Sequence, residues 1–420
     1  MSAQAHVLLP PTLPPRNSSR SPISAGRHRA HGSLFPGRRL RTPRSAEHGD
    51  VAMAAARAGS LQADDGGMRA CSRPEVAVAI KAAYRAGLGD WTEAGQLPVV
   101  YHKDYNISFF GLERLHPFDP CKYQKVRRFL CDKELLPAGH TLAPVAASDD
   151  MLADIHCPKY IKSVSTSPWM VAQICELAPL AMLPNFVVQN RVVKSMRRMT
   201  CGTMLAAGVA MQHGWAVNLG GGMHHASRDQ GQGWCMFDDH YLALRMLRSA
   251  TRSCCRESGG AVRRALYIDL DVHQGNGVCR DKLLLQDPDL YVMDVYNADV
   301  FPQDKHAERA VDCGVRLHCG AADKEYLSRL REALGTSFAS SSPDVVFYNA
   351  GTDILAGDPL GRLNVSKQGI VQRDEMVFQA CLEARVPVVM ALSGGYTAEN
   401  WRVISESLHN LFIKFKLTAT

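Results

Sequence analysis

The chain has 420 residues, 46% of them apolar, enough for one large α/β domain with a tail or for two to three average domains. No run approaches the ~18 apolar residues of a membrane span. The net charge of +7 sits at one end: eight arginines against Glu47 and Asp50 give residues 1–50 a charge of +6, so the remainder is near neutral and makes no case for nucleic-acid binding. Thirteen cysteines, an odd number without a CxxC pair, argue for a reducing compartment rather than a disulfide framework.

Residues 1–70 are rich in Ser, Pro, Arg, Gly and Ala and show no steady apolar period apart from the Ala-rich patch Val51–Ala58. Such a segment cannot bury enough apolar surface to offset its ordering entropy and is read as a disordered tail. Its Arg- and Ser-rich, acid-poor composition also resembles an organellar transit peptide; a nuclear-type basic tail and a start codon placed too far upstream stay open. Residues 71–420 form the folded domain, with order beginning between Pro74 and Pro98.

In chain order, Val99-Val100-Tyr101 reads as the first strand and 106–115 as a loop or short helix. Asp119 and Pro120 supply an N-cap and an N1 proline for a helix burying Tyr123, Val126, Phe129 and Leu130. Residues 177–188 are apolar but broken by Pro179 and Pro184, which predicts irregular packed structure. Strands and helices then alternate. The strands are 216–219, 265–271, 290–295, 345–349 and 386–392. The helices are 241–249 after Asp238 and Asp239, then one from Asp323 through Leu334, one from Ser366 to about Ala384, and a last one capped by Thr397. This alternation predicts right-handed crossovers and an α/β fold with a central, mostly parallel sheet covered by helices on both faces.

In such sheets ligands bind beyond the carboxyl ends of the strands. Four predicted strand ends deliver polar groups there: Gly220-Gly221-Gly222-Met223-His224-His225, Asp271 with His273, Ala350-Gly351-Thr352-Asp353, and Ser393-Gly394-Gly395-Tyr396. Asp271 and His273 are alternate residues, about 6.6 Å apart along an extended backbone and on one face. Two carboxylates and an imidazole, Asp271, Asp353 and His273, suit zinc or a similar divalent cation and leave room for water. A histidine after three glycines can take a proton from that water and return it to a leaving amine. Tyr396 can donate to a developing oxyanion, and Asp269 and Asn276 can orient the two imidazoles. Together these groups describe metal-assisted amide hydrolysis.

GGGMHHA (220–226), DLDVHQGNG (269–277), NAGTDILAGDP (349–359) and SGGY (393–396) together resemble the zinc-dependent histone deacetylases of the arginase–deacetylase fold. The stretches YNISFFGLERLHPFD (105–119), LPNF (183–186) and MDVYN (293–297) are most similar to the class IV branch, and the resemblance runs from about Val99 to Phe412. It implies one Zn2+ per site on Asp271, His273 and Asp353, with His225 as general base and His224 as its electrostatic or acid partner. Tyr396 is implied as the transition-state tyrosine and Asp269 as the carboxylate behind His224. Gly233 and Trp234 would then wall the acyl-lysine channel, and a structural K+ would sit under the central strand. It further implies acylated-lysine protein substrates, histone or non-histone, a role in chromatin regulation, and residence in nucleus or cytoplasm unless the tail directs the chain to plastid or mitochondrion.

Two departures stand out. Asn276 occupies a position where many relatives place a second Asp, which predicts a less basic His225 and an altered pH dependence. Trp234 stands where Phe is more usual, which leaves acyl-chain preference open. The alternatives are an arginase-like ureohydrolase, disfavoured because Gln274 and Asn276 offer no further carboxylates for a second metal, a long-chain fatty acyl-lysine or acetylpolyamine amidohydrolase, and a non-catalytic acyl-lysine-binding module.

Overall fold

The computed structural model describes residues 96–417 apart from 110, 138 and 255–261. The readings of the tail, of the patch 51–58 and of ordering near Pro74 lie outside the described residues.

Seven strands form one sheet: β1 (Val99–Val100), β2 (Trp215–Asn218), β3 (Ala265–Asp269), β4 (Leu290–Asn297), β5 (Cys313–Leu317), β6 (Val345–Asn349) and β7 (Val388–Ala391). Their order is β1-β2-β7-β6-β3-β4-β5, and every neighbouring pair runs parallel. The strands read as continuous apolar runs because both faces are buried. On β3, Ala265 and Tyr267 join one hydrophobic core while Leu266 and Ile268 join the other; on β6, Val345 and Phe347 oppose Val346 and Tyr348 in the same way.

The helices of ten or more residues are α1 (Lys122–Asp132), α2 (Lys194–His213), α3 (Asp239–Cys254), α4 (Asn276–Leu285), α5 (Asp323–Ser341), α6 (Lys367–Ala384) and α7 (Asn400–Lys414). Side chains of α2, α3 and α4, with Tyr123 of α1, build the first core, and those of α5, α6 and α7, with Val126 and Leu130 of α1, the second. The parallel sheet with helices on both faces is therefore as expected. Among the described residues no helix is long and apolar enough to cross a membrane.

Several boundaries differ from the sequence expectation. α1 begins at Lys122, because Asp119 and Pro120 form a turn in which the Asp119 carboxylate accepts from Cys121 N–H. Asp323 does not cap α5; its carboxylate leaves the helix axis to accept from the backbone and hydroxyl of Ser366, the N-cap of α6. Thr397 likewise makes no side-chain cap, and α7 begins three residues later. β3 stops at Asp269, so Asp271 and His273 are brought together by a bend rather than by strand alternation. α2, α4 and β5 had no counterpart in the sequence reading. α2 carries residues such as Gly202, Gly208 and three threonine or serine hydroxyls among its buried positions, which blurs an amphipathic period.

Candidate active site

Beyond β2 the chain turns through Gly221 and Gly222, both with positive φ (+74° and +81°). A Cβ on Gly222 would lie 2.5 Å from Asn349 Oδ1 and 2.7 Å from Ser393 Cβ, so only glycine lets the loop pass the ends of β6 and β7. Asp239, at the start of α3, accepts from Gly222 and Met223 N–H at 2.9 and 2.8 Å and fixes the loop that delivers His224 and His225.

The two imidazoles lie 4.0 Å apart, centroid to centroid, in unlike settings. His224 Nδ1–H donates to Asp269 Oδ2 at 2.9 Å, and its Nε2 is 3.6 Å from Asp271 Oδ1. Burial opposes charge on this ring, but Asp269 and then Asp271 outweigh it and raise His224 to about 9. His225 Nδ1–H donates to Asn276 Oδ1 at 2.8 Å. Burial, then the charges of His224 and His273, hold His225 well below the usual imidazole range, so it is neutral with a lone pair on Nε2. Asn276 is locked in this orientation because its Nδ2–H donates to Asp304 Oδ2 at 3.3 Å, and a carboxylate can only accept.

Asp271, His273 and Asp353 are buried, and one ligating atom from each lies within 4.8 Å of the others. His273 Nδ1 is 3.1 Å from both Asp271 Oδ1 and Asp353 Oδ2. The remaining carboxylate oxygens are occupied: Asp353 Oδ1 accepts from Val272 N–H at 2.8 Å, and Asp271 Oδ2 from Ser393 Oγ and Gly394 N–H at 3.0 Å each. Asp353 Oδ2 and Asp271 Oδ1, the latter also accepting from His273 N–H at 3.0 Å, are the oxygens that face His273 Nδ1 and offer lone pairs to a cation. The donor set of two carboxylate oxygens and one imidazole nitrogen fits zinc, and the negative potential there carries His273 up to about 10 against its burial.

Tyr396 completes the ring around this centre. Its backbone N–H donates to Asp358 Oδ2 at 2.8 Å, and its ring lies 5.9 Å from that of His273. Burial, then Asp271 and Asp353, push the phenol well up, so it stays protonated and able to donate. A cleft of about 420 Å³ leads to His225, His273 and Tyr396, with Gly233, Trp234 and Phe301 in its lining. The Trp234 ring is tilted by 43° against that of Phe118, with centroids 5.1 Å apart, and its buried indole N–H has no acceptor among the described residues. A second cavity, about 30 Å³, is lined by Met199, His224, Trp234, Asp271 and Tyr396.

All ten sequence-predicted residues therefore converge: His224, His225, Asp269, Asp271, His273, Asn276, Asp353 and Tyr396 around one centre, Gly233 and Trp234 at its approach. The sequence reading missed several supports. Phe301 packs 5.2 Å from His225, and Asp304 stands behind Asn276. Buried Lys122 donates to Ser393 O and Gly394 O at 2.5 and 3.0 Å, beneath the turn that presents Tyr396; burial pulls its ammonium down to about 8. Arg373, 0% exposed, donates to Asp374 and to the carbonyls of Leu270, Ala350 and Gly351, bracing the two loops that carry the metal-site acids. A lysine or arginine on an amphipathic helix normally reads as solvated, so only the contacts across the sheet reveal these two.

Cys235 is buried, and burial pushes its thiol well up; it is wall packing next to Trp234, with no sign of a reactive thiolate.

Comparison with known proteins agrees with this geometry. The histone deacetylase domain family matches residues 116–411. The chain is 41% identical over 316 residues to histone deacetylase 2 of Arabidopsis thaliana, covering 75% of this chain and 79% of that protein. It is 29% identical over 321 residues to an uncharacterized protein of Picosynechococcus, covering 76% and 96%. Among solved structures, the crystal structure of an HDA15 HD domain superimposes with a TM-score of 0.59 at 20% identity, covering 77% of this chain and 90% of that one. The chain belongs to the histone deacetylase family, with the arginase–deacetylase fold, and is a hydrolytic deacetylase.

Proposed function

We propose that the chain hydrolyses the amide of N6-acyl-lysine in proteins, with Asp271, His273 and Asp353 holding one Zn2+. When bound, the cation polarises the scissile carbonyl and lowers the pKa of water. His225, neutral and with Nε2 free, takes the proton from water. His224, charged through its pairing with Asp269, holds the adjacent negative potential and supplies a proton on the leaving-amine side. Tyr396 donates its hydroxyl to the carbonyl oxygen as negative charge develops there. Gly233, Trp234 and Phe301 wall the lysine stem and keep water from the centre. The observation that carries this reading is the convergence of three buried ligand atoms within 4.8 Å with one neutral and one charged imidazole beside them.

The class IV assignment belongs to this proposal and is supported by YNISFFGLERLHPFD, LPNF and MDVYN and by Asn276 in place of a carboxylate. The second cavity supports a short acyl group over a long one: about 30 Å³ admits a water or a methyl rather than an alkyl tail. A structural K+ is also proposed. Asp294 on β4 is in register with Asp269 on β3, and its buried Oδ1 has no donor among the described residues.

The test is release of acyl group from acetyl-lysine and long-chain acyl-lysine peptides by the wild type and by His225→Ala. Acetate release abolished in the variant supports the reading. Equal turnover of both proteins, or turnover confined to long chains, contradicts it.

A further inference from the structure

The segment from residue 226 to residue 238 carries Gly233 and Trp234, and both its ends are tied to one buried cluster outside the metal site. At its start, His156 Nδ1–H donates to Ser227 O at 3.0 Å, and Arg228 N–H donates to Asp281 Oδ1 at 2.9 Å. At its end, Asp238 N–H donates to His156 Nε2 at 3.0 Å, and Tyr241 N–H donates to Asp238 Oδ1 at 2.9 Å. Asp281 lies on α4, the helix whose first residue, Asn276, orients His225. Asp238 and Asp281 are 0% and 1% exposed and are neighbours, each carboxyl acting on the other's ionisation. Yet Oδ2 of each has no donor among the described residues. Two bare carboxylate oxygens cannot bond, and in a dry interior they repel.

We infer that Asp238 and Asp281 hold one proton between their Oδ2 atoms, and that this pair pins the channel-wall segment 226–238 to the helix that orients His225. The groups facing the pair leave the proton as its compensation. From α3 comes Asp239, whose oxygens are taken by Gly222, Met223 and Thr203. From the segment itself come Asp229 and Arg228, the latter with Nη1 turned to Ile155 O. From the turn preceding Cys157 comes His156, which burial lowers to about 4 and which is therefore neutral. Burial, then the charge of Asp281, pushes Asp238 well above the usual carboxylate range, and burial raises Asp281 as well. Asp238 and Asp281 are positioning residues: they touch neither substrate nor reacting atoms.

The proton gives the pair a signature that a merely structural role lacks. In the unfolded chain both acids are ionised above pH about 4. The native state therefore binds one proton more, and the pair's contribution to stability falls as pH rises until the pair itself ionises. Asp238→Asn keeps both bonds, with an amide N–H replacing the shared proton, and has nothing to titrate. The experiment is the thermal midpoint of the full chain between pH 5.5 and 9, for the wild type, Asp238→Asn and Asp238→Ala, with kcat and KM on an acetyl-lysine peptide alongside. The expected result is a wild-type midpoint that declines with pH more steeply than that of Asp238→Asn. The Asn variant is expected to stay within about threefold of wild-type kcat/KM, and the Ala variant to lose at least about tenfold, as typical for lost supporting contacts. Parallel midpoint slopes overturn the shared proton. Near-wild-type kcat/KM in Asp238→Ala overturns the positioning role. If Asp238→Ala does not fold, a tenfold loss in Asp238→Asn overturns that role instead. The positioning half rests on the deacylase reading, whereas the midpoint slopes need no turnover, so the two fail separately.

Discussion

His225 Nδ1 lies 2.8 Å from the amide oxygen of Asn276, so the proposed base is oriented by a neutral group. The next imidazole, His224, is oriented by the carboxylate of Asp269 at 2.9 Å. The two rings titrate far apart: against its burial, Asp269 and then Asp271 carry His224 up to about 9, whereas burial and then the charges of His224 and His273 hold His225 down. A lowered imidazole is unprotonated at neutral pH and ready to accept, and a raised one is charged.

Replacing Asn276 by Asp tests this directly. A carboxylate at that position favours the imidazolium of His225 and raises its pKa. More of the base is then protonated at a given acidic pH, so the acid limb of the kcat/KM profile moves to higher pH. A pH–rate series on both proteins checks it; an unmoved acid limb contradicts the assignment of His225 as base.

Asp304 fixes which face of Asn276 meets His225. Without its acceptor at 3.3 Å the amide is free to turn its NH2 toward Nδ1, which moves the imidazole proton to Nε2 and removes the base. Asp304→Ala is expected to lower kcat about 10- to 100-fold, as for other supporting hydrogen bonds, with Asp304→Asn milder. Nitrogen NMR of the His225 ring reports the tautomer independently of turnover.

Tyr396→Phe removes one donor aimed at a developing oxyanion. The expected effect is a fall in kcat of about 10²–10³ with KM little changed. A rise in KM at unchanged kcat would mean that the phenol serves binding alone.

Arg373 is completely buried and satisfies three carbonyls as well as Asp374. Arg373→Met leaves Asp374 and those carbonyls without their cation. The expected loss is about 3–5 kcal/mol of stability, the scale for breaking a buried ion pair. Urea unfolding measures it, and zinc retention of the folded fraction shows whether the two acid-bearing loops have moved.

The legible part of this protein was the part where chemistry and local pattern coincide. The apolar runs of β3 and β6 announce a sheet buried on both faces, and glycines beside His224, His225, Asp353 and Tyr396 mark the turns that gather them. Asp271 and His273 do meet, at 3.1 Å, but not by strand alternation: the strand ends at Asp269, and a bend does the aligning. What remained hidden depends on partners distant in sequence. Lys122 reaches Ser393 across 271 positions, and Asp304 reaches Asn276 across 28. No spacing rule in either local stretch encodes those contacts.

The central claim is that Asp271, His273 and Asp353 hold the cation on which amide hydrolysis depends. The direct measurement is acetate release from an acetyl-lysine peptide by the full chain, before chelation, after it, and after adding back one equivalent of Zn2+. The account predicts loss on chelation and recovery at a 1:1 ratio, with neither binding nor recovery in Asp353→Ala. Undiminished hydrolysis by the metal-stripped wild type, or by Asp353→Ala, would contradict it.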